Sequence, residues 1–491
     1  MLNSKSNLKR TDIIYQYKDL KNFFLCFFNN HLWNYSVLEE KNFYFSRLIK
    51  RKIQNISNKL NLEDYIFKYL FILISPLILI FSYVYACIFL SRFALKNKIS
   101  NEKFQKIKKI LIKNDYIIIK HLPSNQSLKN INGKFIDQQC EYIYEPFLKK
   151  RYVPLYKNIF FYENKFDVLL IENLIIQKNL LSIFFKVIFA MIFNLLKIIL
   201  MLVIDKRYFN KDAIIDLNNS LLFKRYLEIE IYKIIFSNLN KLSLNQTKLI
   251  YISENQFWEK ILLYENKSIT SYAIFLNKNR YWDLKYCHTL NDNSLDKNLL
   301  PSNIISLYNE DILEYKLFNK YSNFHQINFK NIKPTKTNKT DIKNIIIYGD
   351  YIKSNSQKLI NEVELNIRKF KKRYNVYFKK HPNESYHINL PSFINNIHDE
   401  VILKKKHIAI VIDTSSVGFD CIINNNIVIT ILSDNSINMS PLYNLGNHQF
   451  LYCSSLENFD YDQLNFFKNF ELDFSYLTNN KKNFNQLFFE K

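Results

Sequence analysis

HIAIVIDTSSVGFD, residues 407 to 420, passes from an almost unbroken apolar run into a polar turn. HIAIVID (407–413) reads as a strand covered on both faces, which is the habit of parallel sheets. A helix is expected from about Ser416 to Asn424, and NIVITIL (426–432) reads as the next strand. Strand, turn, helix and strand in that order is the unit of a parallel α/β sheet.

The same alternation extends both ways. Upstream, KNIIIYGDY (343–351) is a strand closing on Gly349-Asp350. SQKLINEVELNIRKFKK (356–372) carries Leu359, Ile360, Val363, Ile367 and Phe370 at helical spacing. YNVYFKKHP (374–382) is a strand stopped by proline, and FLYCS (450–454) is a further strand downstream. The second half therefore reads as a doubly wound, Rossmann-like domain. NIKPTKTNKTD (331–341) is a polar linker ahead of it.

In open parallel sheets ligands bind beyond the carboxyl ends of the strands, and three features fall there. Gly349 lets backbone come close to a ligand, or simply makes a tight turn. In KKHP, Pro382 restricts His381 to extended geometry and so holds its imidazole, with Lys379, at the strand end. That histidine is a candidate to hydrogen-bond or protonate a leaving phosphate; a solvated structural histidine is the competing reading. Asp413, Thr414, Ser415 and Ser416 are all good N-cap residues, and a helix start suits an anion. A capped helix with nothing bound accounts for the serines equally well. Gly418 is one of only four glycines in 491 residues. Its place early in a helix suggests a need for phosphate approach or for close helix–strand packing. Asn425 is the expected left-handed cap.

The first half is less regular. DYIIIKH (115–121), FDVLLIE (166–172) and LIYIS (249–253) read as strands, and 218–240 as a long helix. Two greasy segments interrupt them. Residues 69–91 hold no charge over 23 positions, long enough to cross a bilayer. Both flanks are basic, with Arg47, Lys50, Arg51 and Lys52 before and Arg92, Lys96, Lys98 and Lys103 after, so no orientation follows. Pro76 is expected to kink or break that helix. Residues 181–204 contain Lys186 and Lys197, eleven apart and so on one helical face, as in a helix lying in a membrane surface with snorkelling lysines. A buried core helix is the alternative.

The formal charge of +24 suggests an anionic partner, yet the wealth of Lys, Asn, Ile, Phe and Tyr beside scarce Gly and Pro is what an AT-rich coding sequence produces. Without an Arg-rich run or an aromatic-interleaved basic motif, no nucleic-acid partner is expected. The six cysteines, Cys26, Cys87, Cys140, Cys287, Cys421 and Cys453, show no zinc spacing and read as reduced core residues of a cytosolic protein.

KKHP, then SSVGFD, then NNNIVI resembles the carboxyl-terminal domain of bacterial surface-polysaccharide transferases. That set spans capsule glycosyltransferases, HP-motif sialyltransferases and teichoic-acid glycerophosphotransferases. The resemblance implies that His381, Ser415 and Ser416 hold the donor's phosphate, and that Asp420 stands where an acidic residue, more often Glu, meets the ribose. ISENQFWEKIL (252–262), NRYWDLKY (279–286) and LPSNIISLYNED (300–311) resemble a family known only as surface carbohydrate biosynthesis proteins. The matches cover roughly residues 245–455. Leu276 stands where related proteins carry a histidine shortly before WDL.

The fold expected is thus α/β and GT-B-like, two Rossmann-like domains facing a cleft. A helical region (1–100) precedes an acceptor-side domain (101–332) and a donor-nucleotide domain (342–491). The function expected is transfer of a sugar from a nucleotide-activated donor to a lipid-linked or polysaccharide acceptor, on the cytoplasmic face of a bacterial inner membrane, with an anionic membrane surface as partner. No cofactor or metal is expected, since no DxD-like pair sits at a strand end. Asp283 or Glu254 is the candidate base. Trp258, Trp282 and Glu259 are acceptor-side candidates, with core packing as the competing reading for the tryptophans. A CDP-polyol phosphotransferase, or a non-catalytic assembly protein on a degenerate transferase fold, are the alternatives.

Overall fold

The computed structural model describes residues 24, 26–28, 62–96, 100–121, 128–131, 134–137, 152–157, 169–204, 211–242, 247–253, 256–275, 297–306, 308, 311–313, 316, 319, 321–327, 342–370, 374–381, 386–397, 402–403, 405–424, 426–433, 450–453 and 455–458. Among them are two parallel six-stranded sheets with helices, preceded and interrupted by two long apolar helices.

The first sheet contains β1 (Tyr116–His121), β4 (Tyr152–Lys157), β5 (Lys248–Ile252), β6 (Ser271–Phe275), β7 (Asn303–Ser306) and β8 (Asn323–Gln326), in the order β4-β1-β5-β6-β7-β8. A separate antiparallel hairpin pairs β2 (Leu128–Ile131) with β3 (Lys134–Asp137). The second sheet contains β9 (Asn344–Tyr348), β10 (Asn375–Lys379), β11 (Ile394–Asn396), β12 (His407–Ile412), β13 (Ile427–Ile431) and β14 (Phe450–Cys453), in the order β11-β10-β9-β12-β13-β14. The chain runs outward from β9 on one side, then returns and runs outward from β12 on the other. This is the doubly wound order 3-2-1-4-5-6, whose direction reverses between β9 and β12.

The helices are α1 (Leu62–Lys96), α2 (Asn101–Leu111), α3 (Gln177–Ile204), α4 (Lys211–Leu221), α5 (Phe223–Leu242), α6 (Phe257–Glu265), α7 (Lys353–Leu365), α8 (Ile367–Phe370) and α9 (Val417–Ile423). In the second sheet both faces are covered, which is why β12 is buried at every position and apolar after His407. Ile408, Ile410 and Ile412 join Leu359, Ile360 and Val363 of α7 in one core. Ala409 and Val411 join Phe419, Cys421 and Ile422 of α9 in another. Burying each such aliphatic side chain contributes roughly 1.5–3 kcal/mol. The α9 core also takes in Ile118, Ile250, Ile274 and Ile305 from one face of the first sheet, and Tyr308 packs edge-on against Phe419 at 4.7 Å.

The other face of the first sheet is buried under α5 and α6, and α1 and α3 pack against α5 in the same core. Both α1 and α3 are long and apolar enough to cross a membrane.

Four expectations are corrected. Pro76 does not break α1: it offers no N–H to the carbonyl of Ile72, and the Ser75 hydroxyl donates to that oxygen at 2.8 Å. FDVLLIE is not a strand where it is described; Leu170 makes a single bridge and Ile171–Leu174 form a 3-10 turn. Its buried apolar residues pack in the helical core of the first half, so an apolar run alone misled. The long helix around 218–240 is two helices, α4 and α5, separated at Leu222. The cysteines are not uniformly core: Cys421 is buried, Cys87 half-buried and Cys26 exposed. The linker 331–341, Asn425 and most of residues 1–61 lie outside the described residues.

Candidate functional site

The alternation of β9 and β10 directs their last residues to one place. Tyr348 ends β9 and is followed by Gly349; Lys379 ends β10 and is followed by Lys380 and His381. Together with Asp420, Val417 and Cys421 of α9 they line a cavity of about 280 Å³ beside that helix. Leu403, His407, Asn424 and Asn426 complete its lining. Four candidates from the sequence, Gly349, Lys379, His381 and Asp420, are thus brought together in the lining of one cavity.

His381 is half-buried. Burial lowers its pKa below the ordinary imidazole range, and the carboxylate of Asp350 works against that shift. Its ring lies 6.0 Å from that of Tyr351. The Lys379 ammonium sits over the Tyr348 ring, 5.7 Å from its centroid, an arrangement that holds the cation at the cavity wall.

Behind these groups lies a relay that the sequence reading did not single out. His407 Nδ1 is 2.7 Å from the carbonyl oxygen of Lys405. A carbonyl only accepts, so Nδ1 carries the proton and Nε2 accepts from the Tyr348 hydroxyl at 3.0 Å. Burial, partly opposed by that backbone bond, pushes the pKa of His407 down to about 4, with Lys379 adding to the depression. Burial likewise pushes the Cys421 thiol up to about 12. His407 and Cys421 are therefore both neutral. The available signal was parity: Tyr348 shares a face with Ile346, and so points to the side where α9 packs.

The turn after β12 differs from the expected cap. Asp413 is buried and accepts from Ser433 N at 3.1 Å, joining the ends of β12 and β13. Thr414 donates to Asp350 at 3.3 Å, joining the ends of β12 and β9. Asp350 in turn accepts from Asn355 at 2.7 Å, and Tyr386 donates to its carbonyl. Ser416, at the N-cap position, already has helical angles and makes no side-chain cap. Ser415 serves instead, accepting from Val417 N at 3.3 Å. Neither serine is in the cavity wall, although Val417 just beyond them is. Gly418 is buried within α9 and is likewise not in the wall, a position that suits close helix–strand packing.

Two acceptor-side candidates have structural places. Trp258 is fully buried, packs between Phe236 and Tyr251, and donates from Nε1 to Gln256 at 3.0 Å. It has no surface left on which a sugar could stack. Glu259 is 2% exposed and closes a capping box, accepting from Gln256 N at 3.0 Å and from Ser253 Oγ at 2.8 Å. Glu254, Leu276, Trp282 and Asp283 lie outside the described residues. Among the described residues no three His, Cys, Asp or Glu side chains group as a metal site requires.

No protein-family model matches the chain, and no curated protein matches it significantly.

Proposed function

We propose that the chain is a GT-B-like glycosyltransferase, built of two Rossmann-like domains, that transfers a sugar from a nucleotide-activated donor to a surface-polysaccharide or lipid-linked acceptor. One observation carries this reading: Gly349, Lys379, Lys380, His381 and Asp420 converge on a single cavity beside the point where the second sheet reverses direction. Such reversal points are where open α/β sheets take their ligands. The cavity is close to the lower end of the usual range for small-ligand pockets, about 300 Å³.

In the reaction proposed, Lys379 and Lys380 offset the charge of the donor's phosphates. The neutral His381 imidazole donates a hydrogen bond to the leaving phosphate, and the phosphate's negative charge favours its protonation there. The Ser415 and Ser416 hydroxyls, which precede Val417 of the cavity lining, are proposed as further donors to the phosphate. Asp420 accepts from a ribose hydroxyl. The acceptor hydroxyl is deprotonated by Glu254 or Asp283. No cofactor is assigned to the cycle. In this reading the enzyme works at the cytoplasmic face of a bacterial inner membrane, beside a lipid-linked acceptor, and the two long apolar helices support a membrane association.

Thermal stabilisation by UDP, CMP and CDP tests this, because a ligand of the native state raises the melting temperature. UDP or CMP is expected to stabilise the wild-type protein and to lose that effect in His381→Ala. Stabilisation by CDP alone would turn the reading toward polyol-phosphate transfer. No response to any of the three at millimolar concentration would sink both.

A further inference from the structure

The apolar surface of this protein is concentrated on two helices. Outside α1 and α3, the exposed large apolar side chains among the described residues are Ile112, Leu313, Tyr321, Tyr351 and Leu365. On α3 they recur at Leu181, Phe185, Phe189, Ile192, Leu196 and Leu200, one continuous helical face. On α1 they occupy about half the circumference; Leu73 is 76% exposed. Only 22% of the apolar window of α1, and 39% of that of α3, is buried. A core helix of a water-soluble domain would be wrapped far more fully.

The two helices run antiparallel. Tyr83 of α1 packs on Phe184 near the start of α3, at 5.6 Å. At the opposite end Asp64 of α1 accepts from the backbone of Lys211, the first residue of the helix that follows α3. Along this length the inner side of the pair is covered by α4 and α5. Asn194 in mid-α3 donates to the Leu221 carbonyl of α4 at 3.0 Å. Helix α5 carries the ion pairs Lys224–Glu228 and Lys233–Glu230, with α6 and the first sheet behind it. If α1 and α3 crossed a bilayer, these charged helices would have to cross with them, and intramembrane charges cost several kcal/mol each. Lying flat, the pair puts its apolar face into lipid and leaves the rest of the protein in water.

Charge selects the lipid. Beyond Glu63 and Asp64 neither helix contains a carboxylate, and Arg92, Lys178, Lys186 and Lys197 are all exposed. Lys186 and Lys197 flank the apolar stripe of α3, and the Lys197 ammonium lies 5.4 Å from the centre of the Phe28 ring. We infer that the antiparallel α1–α3 pair is a monotopic membrane seat, lying in the plane of one leaflet of an anionic bilayer with its apolar face buried, and not crossing it. The inference stands apart from the transfer reaction, and its test reads no nucleotide.

Tyr69, Ile80 and Ser91 are eleven residues apart in succession and lie on one exposed face of α1. Tyr69→Trp, Ile80→Trp and Ser91→Trp variants of the full chain would be bound to phosphatidylcholine–phosphatidylglycerol vesicles carrying brominated acyl chains. Fluorescence above that of the parent is expected to be quenched best, at all three positions, by bromine at the same shallow depth. A deep Ile80→Trp between shallow Tyr69→Trp and Ser91→Trp would show a span and overturn the inference. Flotation gives a second reading: the wild-type chain is expected to float with these vesicles, and K186E/K197E to bind several-fold less while keeping its melting temperature. Equal binding to phosphatidylcholine alone would overturn the anionic selection. Failure to float, with sedimentation as a dimer, would assign the face to a second copy of the chain and overturn the inference altogether.

Discussion

The carboxyl ends of β5 and β10 are equivalent places in two parallel sheets, and the chain uses them differently. After β5, Ser253, Gln256 and Glu259 bond to one another and start a helix, while Trp258 is driven into the core. After β10, Lys379, Lys380 and His381 line a cavity. A polar cluster at a strand end is therefore a site only where local capping and packing have not already claimed its atoms. In the first half the neighbouring helix follows the strand within a few residues and takes the carboxylate as its cap. In the second half β10 ends at Lys379, and Lys380 and His381 follow it into the cavity lining.

The largest expected effect tests the β5 side. Trp258→Ala should lower unfolding free energy by about 3–5 kcal/mol in urea titrations, the usual cost of emptying a buried aromatic site. Nucleotide affinity of the folded fraction should not change. A stable variant that had lost sugar binding would break the comparison.

Acid stability probes the wall behind the β10 side. The unfolded chain takes a proton on His407 near pH 6.5, whereas the native state holds it neutral down to about 4. Stability from this group is therefore fully present above pH 6.5 and is lost as pH falls towards 4, by about 3 kcal/mol. Denaturation across that range should show the loss, and His407→Gln should flatten it. An unchanged slope would mean that burial does not hold the imidazole neutral in the native state.

Next in size is Lys379→Ala, expected to weaken nucleotide binding about tenfold, or ~1.4 kcal/mol, by calorimetry. Because Lys379 is only half-buried, the melting temperature should barely move. Smallest is Glu259→Ala, expected to cost about 1 kcal/mol through the lost cap with no change in nucleotide affinity. If the two variants exchanged phenotypes, the assignment of cavity and cap would be reversed.

The strands of the second sheet were legible because period and composition are local. KNIIIYGDY, YNVYFKKHP and HIAIVID each contain a strand that starts within one residue of the expected bound and ends one to three residues short of it. The meeting of Gly349, Lys379 and His381 followed from reading strand ends in a parallel sheet, a rule that needs only topology, whereas Asp420, on α9, entered only through the resemblance. Pro76 misled because the Ser75 hydroxyl repairs the missing bond, a contact that depends on a rotamer. FDVLLIE misled because hydrophobicity reports burial without choosing a backbone shape. Ser416 looked like an N-cap, but the turn closes one residue earlier, on Ser415.

By itself, then, the sequence determined the parallel α/β character, the two apolar helices and the strand ends where polar residues gather, because each depends on periodicity over neighbouring positions. Tertiary structure alone decided that Glu259 and Trp258 belong to a cap and a core, and that Tyr348, His407 and Cys421 back the cavity. It alone decided too that α1 and α3 bury one side against charged helices and leave the other exposed. Apart from the Glu259 cap, which closes within six residues, those outcomes rest on contacts between residues far apart in the chain, where packing and hydrogen-bond satisfaction, not local pattern, select which polar atoms remain at a surface.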